Sequence, residues 1–427
     1  MLRRVLFLYL IAIVPMSGVV VAQAPPPIGD DFMVQSTADA LGNSALVASS
    51  AGGGFFVAWF SGEITGRMFT ALGTPLGDEF EVNSTTAGTQ SLTGIGMNPG
   101  GAAIVAFNSS SPWPGGARIR RFDAFGNPLG NDFPITTADD GTTYPVVDLA
   151  DSGAFVVAFR KGVIEGQGTE ILVRRYDANA SPLGPEAVIN TYTDDWQDAP
   201  AIAVAPNGAF VVAWASEGSP GADNDDYSIQ ARCFTADGIA LGDQFQVNTT
   251  AFGDQAWPDV GIADSGAFVI VWDSDSSSGS DNDNSSVQAQ RFTANCLPVG
   301  SEFQLNTYIS GWQGDASVAV SPNGAFVVVW DSAGSPATDN DGTSTQARSY
   351  TADGIPMSNQ YQVNTTEEGY QRMSAVAGNP ASRFVTVWDH YIDGVEWTVR
   401  ARLFGYPTVF LDGFETGNAL QWSSTFP

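Results

Sequence analysis

Read by its apolar and polar positions, the chain repeats one short apolar run seven times. "FFVAW", "AIVAF", "FVVAF", "FVVAW", "FVIVW", "FVVVW" and "FVTVW" end at Trp59, Phe107, Phe159, Trp214, Trp272, Trp330 and Trp388. These ends lie 48 to 58 residues apart, and the last four are evenly spaced at 58. A second, alternating series ends at Phe69, Phe122, Tyr176, Phe234, Phe292, Tyr350 and Phe404. A third reads "DEFEVNS", "NDFPITT", "PEAVINT", "DQFQVNT", "SEFQLNT" and "NQYQVNT". With the short segment before each apolar run ("PAIAV", "ASVAV"), every unit predicts four β-strands. Turn formers such as Pro322-Asn323-Gly324 separate them. No stretch holds a helical period. The β-branched and aromatic apolar runs read as buried central strands.

Four strands per unit, seven times over, predict an all-β, seven-bladed β-propeller of four-stranded antiparallel blades. The chain opens on a lone fourth-strand motif, "DFMVQST", and its seventh unit stops at "RARLF" without one. Residues 32–37 should therefore complete blade seven and close the ring, leaving no exposed sheet edge. A two-domain array of β-sandwiches is the competing arrangement. The expected layout is a signal peptide at 1–22, a Pro-rich linker at 23–31, the propeller at 32–404 and a tail at 405–427. The signal reading rests on Arg3 and Arg4, the apolar stretch after them and the small residues at Val20-Val21-Ala22. It implies export, to the medium or the cell surface, with no membrane span after its removal.

Charge narrows the partners. Against 17 Lys plus Arg stand 46 Asp plus Glu, a formal net charge of −29. Such a surface repels phosphate backbones, so nucleic acid is not an expected partner. The two cysteines, Cys233 and Cys296, occupy different positions in successive repeats, an offset that does not favour a bridge.

If the first strand of each unit is innermost, the second-to-third loops and the crossovers between blades emerge on one face. The crossovers carry Gln197, Gln255, Gln313 and Gln371 at intervals of 58, with Trp196, Trp257, Trp312 and Tyr370 beside them. Aromatic faces stack on sugar rings and amides bond hydroxyls, so these eight residues are the candidate ligand-binding set. The same spacing also fits glutamines that cap strands and aromatics that fill gaps between blades. The loops of units four to six add Asp223 and Asp225, Asp281 and Asp283, and Asp339 and Asp341. Short runs of this kind can offer several oxygens to Ca2+, the one candidate cation, although none has the EF-hand spacing. Solvated turns account for the composition without a metal, and no cofactor is required.

Arg67, Arg120, Arg174, Arg232, Arg348 and Arg402 stand two residues before the aromatic that ends each third strand, with Gln290 the exception. On one strand face, such an Arg should stack on the ring or pair with a carboxylate of the next blade. His390, the only histidine, follows a buried-strand signature and nothing ties it to a nucleophile. No catalytic residue is assigned, though abundant acids leave carboxylate chemistry open.

The units, for example "FQVNTTAFGDQAWPDVGIADSGAFVIVWDS" followed by "VQAQRF", resemble the tandem F-x-V-N-T, G-x-F-V-V-V-W and Q-R-F repeats of large secreted bacterial surface proteins. The resemblance covers about residues 31 to 404. The ending "LDGFETGNALQWSS" is similar to a short D-G-F-E-S/T-G tail of some proteobacterial exported proteins. Such repeats imply an exported surface protein and no particular activity. The expectation is a monomeric binding or adhesion module for a glycan, a cell-wall component or a surface protein. The alternatives are a carbohydrate-active enzyme using loop-face carboxylates and a purely structural exoprotein.

Overall fold

The computed structural model describes residues 24–38, 43–111, 115–136, 142–162, 168–379, 383–392 and 397–405. The signal-peptide span and almost all of the tail lie outside the described residues. Seven four-stranded antiparallel sheets follow one another around a ring. Blade 4 is typical, with strands Gln197–Val204, Phe210–Glu217, Tyr227–Phe234 and Phe245–Gln246 in spatial order. The seven first strands line a central channel of about 590 Å3. Among the described residues, no helix is long and apolar enough to cross a membrane.

The periodic markers have physical causes. Second strands lie between neighbouring sheets, so "FVVVWDS" is buried at every position. In register, the first residue of the second strand faces the aromatic that ends the third. Phe210 stacks on Phe234 at 4.7 Å and Phe326 on Tyr350 at 4.8 Å. The turn before each second strand needs a left-handed residue; Gly208 and Gly324 supply it at φ 89° and 88°.

The ring closes as expected, with Phe32 opposite Ala401 and Met33 opposite Arg400. The closing segment begins earlier than residue 32, however. The Ile28 N–H donates to the Leu403 carbonyl at 2.8 Å, and the Gly405 N–H to the Pro26 carbonyl at 3.0 Å. Residues 26–31, expected as linker, instead run along blade 7. The reason is register: "PIGDDFMVQ" matches "PLGDEFEVN" of blade 1, whose Leu76 N–H bonds Met68 in the same way.

Four recurrent bonds join one blade to the next, and the interface between blades 5 and 6 has all of them. Gln360 Oε1 accepts the Thr307 N–H at 2.7 Å. Arg348 donates to the Leu305 carbonyl at 3.0 Å while lying over the Tyr350 ring at 5.4 Å. Arg291, packed over Gly354, donates to the Ala352 carbonyl at 2.8 Å. On the loop face, Asp273 Oδ2 accepts the Asp315 N–H at 2.8 Å. The repeated Arg thus stacks as expected, but its partner is a backbone carbonyl of the preceding blade. The short fourth strand leaves that carbonyl unpaired by any ladder, and a guanidinium satisfies it.

The interface between blades 4 and 5 departs from this scheme. Ala215 stands where Asp273 stands one blade on, and Gln290 replaces the Arg and bonds within its own blade. Here Cys233 and Cys296 form a disulfide, with Cα atoms 6.5 Å apart. The bridge joins cysteines at different repeat positions, against the expectation from sequence. Those two positions meet between blades: Arg175 packs over Gly238, and Arg291 over Gly354, through the same pair of sites.

Candidate functional site

The second-to-third loops and the crossovers share one face, at the mouth of the channel. Each first strand enters this mouth through a β-bulge. In six of the seven blades the bulge forces one residue into the left-handed region: Ser44, Tyr144, Ala199, Trp257, Asp315 and Met373 have φ between 46° and 62°. Holding a non-glycine residue there costs on the order of 1–3 kcal/mol, so the surroundings must enforce it. In four blades a side chain of the preceding blade does so by accepting the strained N–H. Asp389 accepts from Ser44 at 2.6 Å, Asn108 from Tyr144 at 2.9 Å, Asp273 from Asp315 at 2.8 Å and Asp331 from Met373 at 2.6 Å. Opposite Trp257 stands Ala215, which has no side-chain acceptor.

The expected ligand set divides. Gln197, Gln255, Gln313 and Gln371 are fully buried. Gln197 donates to the Asp194 carbonyl at 3.1 Å and accepts from Trp214 Nε1 at 3.0 Å. Gln313 donates to Ser310 and Gly311 carbonyls at 3.2 and 2.9 Å. These amides cap the crossover turns, and none reaches the surface. Trp312 is half-buried, its ring against Gly314. Tyr370 stacks with Tyr391 at 6.4 Å beneath the Arg372 guanidinium at 4.6 Å. Trp196 and Trp257 are 46% and 57% exposed.

Two further rings belong with them. Phe252, in the crossover ahead of Trp257, is 73% exposed, and Tyr144 is 40% exposed beneath Arg160 at 4.6 Å. Tyr144 holds the same mouth position as Trp257, so repeat alignment carried the signal; Phe252 has no counterpart in other units. Among the described residues, the exposed aromatics of this face lie in blades 3 to 5. Leu72, Phe125, Ile239, Leu297 and Ile355 are also exposed, on the opposite face. They recur in the same turn of five blades and mark that turn, not a local site.

The acidic loops serve the frame. Asp223, Asp281 and Asp339 are buried, and each accepts at 2.6 Å from the fourth-strand asparagine of its own blade, Asn248, Asn306 or Asn364. Asp225, Asp283 and Asp341 accept the N–H of Gly253, Gly311 and Gly369 in the crossovers. Burial pushes the first three carboxyls up, Asp339 to about 6. Among the described residues, no group of three or more His, Cys, Asp or Glu is arranged to hold a metal ion.

Burial also raises Asp389, to about 7, and lifts Asp273 and Asp331 well above the usual carboxylate range, where the neighbouring Asp315 charge adds to it. Within the channel, burial raises Asp148 to about 6, and its oxygens take the Leu149 and Val204 N–H groups. His390 is buried, with Nε2 3.0 Å from the Glu368 carbonyl and Nδ1 3.5 Å from the Thr398 hydroxyl.

No family model matches the chain, and no curated protein matches it. Solved structures of similar shape include a Dyadobacter fermentans protein of unknown function, at 10% identity and TM-score 0.48 over 86% of this chain and 99% of that one. A polysaccharide lyase matches at 9% identity and TM-score 0.49, over 88% of this chain and 94% of its own. A Penicillium chrysogenum alpha-L-arabinanase, solved with arabinobiose, matches at 13% identity and TM-score 0.47, over 74% and 93%. At these scores the likenesses carry no argument about chemistry.

Proposed function

We propose that the protein is an exported glycan-binding module, and that its ligand lies on the loop face of blades 3 to 5. The observation that carries this reading is the set of exposed rings Trp196, Phe252 and Trp257 on adjacent blades beside the channel mouth. Large rings left in water on a rigid scaffold forgo burial energy, and flat aromatic faces are the surfaces on which sugar rings stack. The disulfide fits an oxidising compartment and so supports export. The enzymatic alternative draws less support. Asp273, Asp331 and Asp389, the buried carboxyls at the mouth, already accept strained backbone N–H groups of the neighbouring blade.

The test is a glycan array followed by titration calorimetry with the double variant Trp196→Ala, Trp257→Ala. Loss of two rings should weaken the strongest hit by at least about tenfold, since each stacked aromatic is worth roughly 1 kcal/mol or more. Thermal unfolding should stay where it was, because neither ring is part of the core. Binding that survives both substitutions would rule the reading out.

A further inference from the structure

The ring platform sits inside a one-signed field. Asp194 and Asp195 are exposed beside Trp196, and Asp254 is exposed between Phe252 and Trp257. Asp225 and Asp226 are exposed in the loop tied to that crossover, where Asp225 accepts the Gly253 N–H. The guanidinium facing this sector, that of Arg160, is neutralised by Asp198 at 2.6 Å. Two neighbouring phenols feel the excess. After burial itself, the charges of Asp194, Asp195 and Glu217 push Tyr192 up, and at Tyr227 those of Glu217, Asp198 and Asp254 outweigh the opposing pull of Arg160.

Resting on the glycan reading above, we infer that this sector selects an amine-bearing glycan, a polymer of sugars with unacetylated amino groups, over neutral or uronate-bearing ones. The rings supply stacking area for any pyranose face. The carboxylates supply what a neutral sugar cannot use: an ammonium beside an aromatic face gains from the ring quadrupole and from the acids together. A uronate would meet like charge at every approach. Departure from the repeat points to the same place. Trp257 and Phe252 interrupt the pattern at the blade 4–5 interface, where the frame has given up the acceptor that steadies the equivalent residue in four other blades. The buried glutamines of the crossovers serve the frame, and the exposed rings beside them are left for the ligand.

The experiment compares β-linked oligomers of glucosamine, N-acetylglucosamine, glucose and galacturonate, each of the same length, at mildly acidic pH and at low and high salt. The glucosamine oligomer should bind at least about tenfold tighter than its acetylated counterpart at low salt, and high salt should erase that advantage. Asp195→Asn with Asp254→Asn should remove the advantage while leaving the acetylated oligomer's affinity unchanged. Both substitutions are isosteric; Asn keeps the acceptor that Asp254 offers to the Tyr227 N–H. Equal binding of the amine and acetyl oligomers would overturn the selectivity and leave the ring platform standing. So would tighter binding of galacturonate, or displacement of the sugar by a lysine-rich peptide of equal charge. Failure of every sugar to bind takes down both inferences.

Discussion

The interfaces on either side of blade 5 are built from the same repeat and hold together differently. Between blades 5 and 6, Asp273, Arg348, Arg291 and Gln360 each reach across to backbone. Between blades 4 and 5, Glu302 still accepts from Thr249 and Thr250, while Ala215 and Gln290 contribute nothing across the gap. The Cys233–Cys296 disulfide stands in place of the Arg-over-Gly contact. A covalent link on the far side of the disc compensates for hydrogen bonds missing at the mouth. The seam that lost them carries Trp257 and Phe252. One interface is optimised for its neighbours; the other has been relieved of part of that duty.

The largest way to break this comparison is to remove the bridge. Cys233→Ser with Cys296→Ser opens a 63-residue loop in the unfolded chain, and should cost about 2–4 kcal/mol. At the sister interface, Arg291→Ser removes one solvent-exposed bond, to the Ala352 carbonyl, and should cost about 1 kcal/mol. Urea unfolding gives both numbers. Hydrogen exchange should show the first strand of blade 5, Gln255–Ile262, loosening in the serine variant. Equal costs, or unchanged exchange in that strand, would mean that the disulfide is not what holds the weaker seam.

A smaller effect separates the seams by pH. Asp273, Asp331 and Asp389 titrate high because burial disfavours their charge, and the blade 4–5 seam has Ala215 at that position. A carboxyl raised in the folded state stabilises fully below its unfolded value, near 3.8, and that contribution is lost as pH rises through the folded value. For Asp389 the window runs from 3.8 to about 7. Wild-type stability should therefore fall across this range. Asp389→Asn keeps an acceptor for Ser44 and removes the proton, so its slope should be shallower by up to about 1.4 kcal/mol per pH unit. Parallel slopes would show that Asp389 ionises normally in the fold.

What the sequence made legible was whatever recurs along one dimension. Seven blades, the closing strand and the shared loop face all follow from spacing, because each strand pairs with its sequence neighbour. Contacts between blades join positions of different phase, and spacing hides them. Cys233 and Cys296 looked mismatched for that reason, and nothing in the spacing marked the reach of Asp273 to Asp315. The glutamines admitted two readings, and the capping one fits their bonds. Gln197 and Gln313 are polar and recurrent at the mouth, but crossover carbonyls needed donors, and the amides were drawn inward to supply them. Exposure picked out Trp196 and Trp257, and it added Phe252, which no period predicts.

The smallest prediction rebuilds the missing bond. Ala215 lies opposite Ile229 in its sheet, as Asp273 lies opposite Val287 and Asp389 opposite Val399. The slot therefore accommodates an aspartate in sister blades with an equally apolar partner. Ala215→Asp should accept the Trp257 N–H as Asp273 accepts that of Asp315. The gain of one bond, about 1 kcal/mol, is set against the burial of a carboxyl. Burial also favours the protonated form, so the variant should match or exceed wild-type stability near pH 4.5 and fall below it near pH 7, by about 1 kcal/mol either way. Glycan affinity should stay within about threefold, since the exposed ring is untouched and only its backbone gains a partner. A stability loss of several kcal/mol at both pH values would show that blade 4 cannot take the clamp, and that the two seams differ in more than the residues that cross them.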